Sequence, residues 1–222
     1  MARLIDHTLL RPEAARPDIV RLCQEGLAFA FATVCVNPWW VPEAAARLAG
    51  SPVGVCAVVG FPLGALPPAL KRQEAAAVLG DGASEVDMVV NLGAVKSGEW
   101  PVVCAEIEAV VAEAARHGAL VKVILETALL GLEEKIAVAL VARGAGASFV
   151  KTSTGFGPGG ATVDDVRLLR RVVGSAMGVK ASGGIRDASH AAALLDAGAT
   201  RLGTSAGMVI VREWEVAQGR SQ

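Results

Sequence analysis

The sequence predicts a (β/α)8 barrel, an α/β fold in which eight parallel strands close inside a ring of helices, as a single domain over residues 1–222. Three observations carry this reading. Eight short apolar runs recur with starts about 20 to 35 residues apart, the length of one βα unit. Between them lie Ala-, Leu-, Glu- and Arg-rich segments of helical character, so strand and helix alternate along the whole chain. The runs are nearly continuous in apolar residues, as strands are in a parallel sheet covered by helices, and 222 residues lie at the short end of the usual barrel range. A doubly wound open sheet is the competing architecture. Against it, no GxGxxG follows the first strand, and polar residues sit within nearly every strand.

Taken in order, the first strand is read in LIDHT from Leu4 and the second in ATVCVN from Ala32. VGVCAVVGF from Val53 supplies the third, EVDMVVN from Glu85 the fourth and LVKVILET from Leu120 the fifth. The last three are SFVKTSTG from Ser148, GVKASGG from Gly178 and TRLGTSAG from Thr200. Intervening segments such as EEKIAVALVARGAGA and DASHAAALLDAGA close on glycine, which accepts the left-handed conformation that ends many helices.

Composition narrows the class of partner. Hydrophobic residues make up 53% of the chain, enough for a substantial core. The 21 basic and 22 acidic residues are scattered and nearly cancel, which leaves no electrostatic footprint for nucleic acid or an anionic membrane. A small molecule or a second copy of the chain is the expected partner. Cys23, Cys35, Cys56 and Cys104 lack CxxC spacing, and His7, His117 and His190 form no ligand-like pair near them. No structural metal is expected, and reduced core thiols fit a cytoplasmic protein. The opening MARLIDHTLLRPE breaks its apolar run at Asp6 and His7, so it reads as neither a signal peptide nor a membrane span.

Charges inside the strands are the main chemical signal. Side chains alternate faces along a strand, so Lys122 shares a face with Ile124 and Glu126, Lys151 with Phe149 and Ser153, and Lys180 with Gly178 and Ser182. In the fourth strand the corresponding set is Glu85, Asp87, Val89 and Asn91. If these sets face inward, one interior receives Asp87, Lys122, Lys151 and Lys180, and the first strand adds Asp6. Paired charges that only fix strand register are the alternative, and that suffices for Lys122 alone. For lysines in three consecutive strands it is weaker, because each isolated buried charge costs several kcal/mol. An amine beside like charge loses its proton more easily and becomes a nucleophile toward carbonyls, which is the chemistry of a Schiff base.

Glycines mark a second site. The seventh strand runs into Gly183-Gly184 and the eighth into Gly203-Thr204-Ser205, where small residues let backbone N–H groups approach a ligand. In barrels of this kind the loops after strands seven and eight commonly hold phosphate. GFGPGGAT after strand six either lines the site or leads into a helix beginning near Thr162. Four further residues stay open: His7 as a ligand contact or a hydrogen-bonded structural group, Trp39 and Trp40 as site cover, loop packing or subunit contact, and Cys35 as a thiol near the site or an inert core residue.

Eight segments, DHTLL, VCVNP, VGFPLG, EVDMVVNLGAVKSG, KVILET, FVKTSTGF, KASGGIR and RLGTSAG, occur in one order along almost the entire chain. In these the sequence resembles the deoxyribose-phosphate aldolases, class I enzymes, with EVDMV, VKTSTGF and KASGGIR as the specific segments. The resemblance implies reversible cleavage of 2-deoxy-D-ribose 5-phosphate to acetaldehyde and D-glyceraldehyde 3-phosphate, with neither cofactor nor metal. It makes Lys151 the Schiff-base lysine, Lys180 the lysine that tunes it, and Asp87 a participant in proton transfer. Thr154, Gly183, Gly184, Gly203 and Ser205 fall where the family binds substrate hydroxyls or phosphate, and Asp6 and Thr8 match an acidic–hydroxyl pair supporting the pocket. Two departures stand out: Phe156 follows TSTG where some members carry lysine, and the tail AQGRSQ belongs to a chain without tyrosine.

Two rival functions are a phosphosugar isomerase or lyase without a covalent intermediate and a silent phosphosugar sensor; the lysine pair favours neither. A homodimer or homotetramer is expected, since Ala-rich outer helices and exposed tryptophans can form self-complementary patches.

Overall fold

In the computed structural model, which describes residues 1–219, the eight runs become β1 (Ile5–Leu9), β2 (Thr33–Val36), β3 (Gly54–Val59), β4 (Glu85–Val89), β5 (Leu120–Ile124), β6 (Phe149–Lys151), β7 (Gly178–Ser182) and β8 (Arg201–Thr204). Each pairs in parallel with the next in sequence, and β8 returns to β1, closing the barrel. The expected strand order and closure are therefore observed. The final residues of the AQGRSQ tail, 220–222, lie outside the described residues.

Helices α1 (Arg16–Phe29), α2 (Val41–Leu48) and α3 (Pro68–Gly80) follow the first three strands. A single turn, α4 (Leu92–Lys96), precedes α5 (Trp100–Arg116) after β4. The remaining helices are α6 (Leu132–Gly144), α7 (Val163–Val173), α8 (Ala188–Asp196) and α9 (Gly207–Ala217). Their starts have local causes. Thr162 caps α7 by accepting the Asp165 N–H at 3.1 Å, with Asp164 and Asp165 in the first turn and Arg170 and Arg171 in the last, each sign complementing the helix dipole. Asp187 caps α8 through the His190 N–H at 2.8 Å.

The period of two along each strand separates two environments. Val123, Val150 and Val179 lie side by side in register and face outward into the continuous apolar layer under the helices, with Ile107, Leu169 and Leu194 opposite. Each such buried side chain contributes about 1.5–3 kcal/mol. The inward sector near β1–β3 is a small separate apolar cluster of Leu10, Cys35, Cys56 and Val58, with Phe61 against it. Across the interior from it stand the charged side chains, with Val89 and Ile124 in register above Asp87 and Lys122. Among the described residues, no helix is long and apolar enough to cross a membrane.

Candidate active site

Neighbouring strands place Lys151 directly beside Lys180, and Asp87 directly beside Lys122. Their side chains converge on the Asp87 carboxylate, which is fully buried. Oδ2 accepts from Lys151 Nζ and Lys180 Nζ, each at 2.7 Å, and Oδ1 accepts from Lys122 Nζ at 2.8 Å. Lys180 also reaches Asp6 Oδ2 at 2.5 Å, and Lys122 reaches Glu85 Oε2 at 2.6 Å. Arg201 completes the lattice from the start of β8, 2.5 Å from Asp6 and 3.1 Å from Glu85. The five residues expected to share one interior do so; Arg201 was not foreseen.

Burial by itself would raise the Asp87 pKa, but the ammonium charges of Lys122, Lys151 and Lys180 overturn it and hold the carboxyl well below its ordinary range. Asp6 follows the same pattern, lowered by Lys180, Lys122 and Arg201 against its burial. For Lys180, burial favours loss of the proton, yet Asp6 and Asp87 more than compensate and keep the ammonium above its ordinary value. Lys122 is likewise held charged, by Asp87 first among its neighbours. Lys180 is thus a fixed positive charge beside Lys151.

Above the lattice opens a cavity of about 360 Å³ at the C-terminal end of the strands, and Lys151 alone of the seven lattice residues lines it. Asp6, Asp87 and Lys180 lie beneath. Thr8, Thr154, Gly183, Gly184, Gly203, Thr204 and Ser205 line the cavity, as does Ser182 from the Lys180 face, joined by Arg11, Ile185 and Arg186, which the sequence did not single out. Thr8 supports the floor by donating its hydroxyl to the Asp6 carbonyl at 2.8 Å, so the acidic–hydroxyl pair runs through backbone and not through the carboxylate.

The glycines divide into two roles. Gly183 has φ +89°, and a Cβ there would come within 2.9 Å of the Gly160 Cα, so the loops after β6 and β7 touch backbone to backbone. Gly184 has φ +77° with open space where a side chain would stand, leaving its backbone accessible from the cavity. Gly203 differs from the sequence reading: a Cβ there would meet Lys180 Cε at 2.9 Å, so this glycine makes room for the lysine stem as well as lining the cavity. Thr204 ties the last two loops by donating to the Ile185 carbonyl at 2.7 Å.

Glu126, at φ +56°, is the group that sequence reasoning overlooked on this side. Its Oε2 accepts from both the Thr154 hydroxyl and the Thr154 N–H, the latter at 3.1 Å, while the same hydroxyl accepts the Phe156 N–H at 3.0 Å. Thr154 therefore lines the cavity with its hydroxyl already engaged. Phe156, half-exposed, stands edge-on to Phe61 with ring centroids 5.3 Å apart and gives the mouth an apolar wall.

The structure narrows the open assignments. His7 lies outside the cavity, with Nε2 2.7 Å from Glu25 and its ring against Phe31, which is a structural placement. Trp39 and Trp40 occupy a 3-10 turn after β2 and do not line the cavity either. Cys35 is buried beside Cys56, in register with it. Cys35, Cys56 and Asp87 bring potential ligand atoms within 4.8 Å, but Asp87 already faces three ammonium groups, and a cation would be repelled there.

A family model described as DeoC/LacD family aldolase matches residues 1–214. The deoxyribose-phosphate aldolase of Halalkalibacterium halodurans is 55% identical over 212 residues, covering 95% of this chain and 94% of that protein. That of Thermococcus gammatolerans is 54% identical over 213 residues, covering 95% of each. Among solved structures, the tetrameric deoxyribose phosphate aldolase of Aeropyrum pernix superposes with a TM-score of 0.91 at 35% identity, over 97% of this chain and 91% of that one. A closed barrel, a buried lysine lattice open to one cavity and a match along nearly the whole length lead to one conclusion: the chain belongs to the DeoC/LacD family of aldolases.

Proposed function

We propose that this aldolase cleaves 2-deoxy-D-ribose 5-phosphate reversibly to acetaldehyde and D-glyceraldehyde 3-phosphate through a Schiff base on Lys151. The observation that carries the assignment is that Lys151 alone of the lattice lines the cavity, while Lys122 and Lys180 are held charged below it. In the cleavage direction the Lys151 amine attacks C1 of the open-chain sugar, and loss of water leaves an iminium. The carbon count of the products fixes the broken bond as C2–C3, since acetaldehyde carries away C1 and C2. The C3 hydroxyl loses its proton, the C2–C3 electron pair moves toward the iminium, and a two-carbon enamine remains. Protonation at C2 and hydrolysis release acetaldehyde and restore the amine.

Asp87 serves proton transfer because it lies 2.7 Å from Lys151 Nζ. The single N–H that Lys151 directs at Asp87 Oδ2 persists in the iminium, so the carboxylate stays beside the reacting nitrogen through the cycle. Incubation with deoxyribose phosphate and borohydride, followed by mass spectrometry, tests the reading directly. A reduced adduct is expected on Lys151; cleavage with no trapped adduct would instead favour a lyase without a covalent intermediate.

Lys180 tunes the nucleophile by keeping a second positive charge beside it. Lys180→Leu is expected to slow imine formation near neutrality and move the pH–rate optimum upward by about one unit or more. An unchanged profile would return Lys180 to a register role.

The phosphate is placed at the loops after β7 and β8, with Gly184 supplying open backbone and Arg11 and Arg186 the charge that Phe156 does not. Arg186→Met is expected to lower kcat/KM for deoxyribose phosphate about tenfold, as loss of a charge-assisted bond of about 1.5–3 kcal/mol implies. Unphosphorylated deoxyribose should be far less affected, and equal losses on both substrates would displace the phosphate from this end. The chain acts as one catalytic domain over residues 1–222, in the cytoplasm, on small-molecule substrates and without nucleic-acid partners. A homodimer or homotetramer is its proposed assembly, a reading supported by the tetrameric relative from Aeropyrum pernix.

A further inference from the structure

Lys71 of α3 and Glu106 of α5 form an ion pair outside the barrel wall from which water is excluded, with Nζ and Oε2 2.5 Å apart and both side chains 0% exposed. Neither residue lines the cavity. The pair is not closed on itself. Lys71 Nζ also donates to the Val89 carbonyl at 2.8 Å, and Glu106 Oε1 accepts the Asn91 N–H at 2.6 Å. Both backbone groups belong to the C-terminal end of β4 and the residues just after it, a short step along the chain from Asp87. On the same face of α3, Glu74 accepts the Gly60 N–H at the end of β3 at 2.7 Å, and the Gly60 backbone lies against the Lys71 stem.

Stability alone does not account for this arrangement. Burial pushes the Lys71 ammonium below its ordinary range and the Glu106 carboxyl above it, and their mutual attraction only partly opposes this. A buried ion pair of this kind can often be exchanged for apolar side chains of similar volume without loss of stability. Apolar side chains, however, cannot bond a carbonyl and an amide at a strand end that the barrel ladder leaves open. The ion pair therefore does something specific at β4: it clamps the strand's exit from both its acceptor and its donor side.

We infer that Lys71 and Glu106 are positioning residues for Asp87, fixing the end of β4 so that one carboxylate oxygen stays within reach of both Lys151 and Lys180. The inference rests on the roles given to Asp87 and Lys151 above. Those contacts are 2.7 Å each, and a displacement of about 1 Å at a reacting centre can cost about a hundredfold in rate.

The test uses the full chain carrying Lys71→Met with Glu106→Leu, a double change that removes the clamp without leaving an unpaired charge. Well below the melting temperature, kcat for deoxyribose phosphate cleavage is expected to fall about 10- to 100-fold, with KM changed by less than about threefold. Borohydride labelling of Lys151 should slow in parallel. Lys71→Arg, which keeps a charged donor, should retain most of kcat. Glu106→Gln provides a second, nearly isosteric variant if the double variant does not fold, and about a three- to tenfold loss of kcat is expected for it. Wild-type kcat in a folded double variant, or in Glu106→Gln, would overturn the inference and leave the pair a purely structural one, even with a lowered melting temperature. Absence of label on Lys151 in the unaltered protein would overturn the catalytic assignment itself, and so separates the two failures.

Discussion

Replacing Lys151 with leucine is expected to abolish borohydride trapping and to reduce aldol cleavage by about four orders of magnitude or more, since a covalent catalyst has no substitute for its nucleophile. The fold should survive. Lys151 lies in an apolar run flanked by Val150 and paired with Ile124, so leucine suits its strand. Asp87 would keep Lys122 and Lys180 as partners, at 2.8 and 2.7 Å, and would not be left as an uncompensated buried charge. Thermal unfolding of the variant should therefore resemble that of the unaltered protein while activity disappears. Cleavage within tenfold of wild type, or a trapped adduct on Lys122 or Lys180, would show that the nucleophile is elsewhere.

Asp87→Asn should be nearly as damaging to activity and much more damaging to stability. A neutral amide cannot balance three ammonium groups, and breaking a buried ionic cluster from one side typically costs about 3–5 kcal/mol. Loss of a proton-transfer group adds about 10²- to 10⁴-fold in rate. The same carboxylate sets an acid limit. Because Asp87 and Asp6 have folded-state pKa values below their unfolded ones, their stabilising contribution is complete above about pH 4 and is lost as pH falls through the depressed values. Melting temperatures measured from pH 7 downward should thus fall steeply below about pH 4 for the unaltered chain and less steeply for Asp87→Asn. Parallel curves would mean that Asp87 is not the group whose protonation undoes the lattice.

The strands were legible because each is a short apolar run, and the lattice was legible because a lysine or aspartate interrupts such a run at an inward position. Lys122, Lys151, Lys180, Asp87 and Asp6 all carry that signature. Arg201 does not: it opens β8 at the edge of its run, and its long side chain reaches carboxylates that the local pattern gives no means of pairing. Arg11 and Arg186 lie in loops, where a charged residue reads first as solvated surface. Lys71 and Glu106 lie on helices rich in charge, and only the packing of α3 against α5 buries them together. For Glu126, a turn with left-handed φ brings the carboxylate onto Thr154, a path that strand alternation does not predict. For Gly203 the position was legible but its neighbour was not, because the crowding comes from the Lys180 stem on the adjacent strand.

The column of ionised side chains inside the barrel sets Lys122, Lys151, Lys180 and Arg201 against Asp6, Glu85 and Asp87. With every group ionised, this interior is not electroneutral: it holds one cation more than it has anions. Water reaches little of it, so the surplus is poorly screened, and no improvement in the geometry of individual pairs can remove it. An anion arriving from the cavity can. Lys151 alone of these groups lines that cavity, so the approach lies at its end of the column. The surplus charge then draws a phosphorylated substrate toward the same end of the barrel at which its carbonyl must arrive.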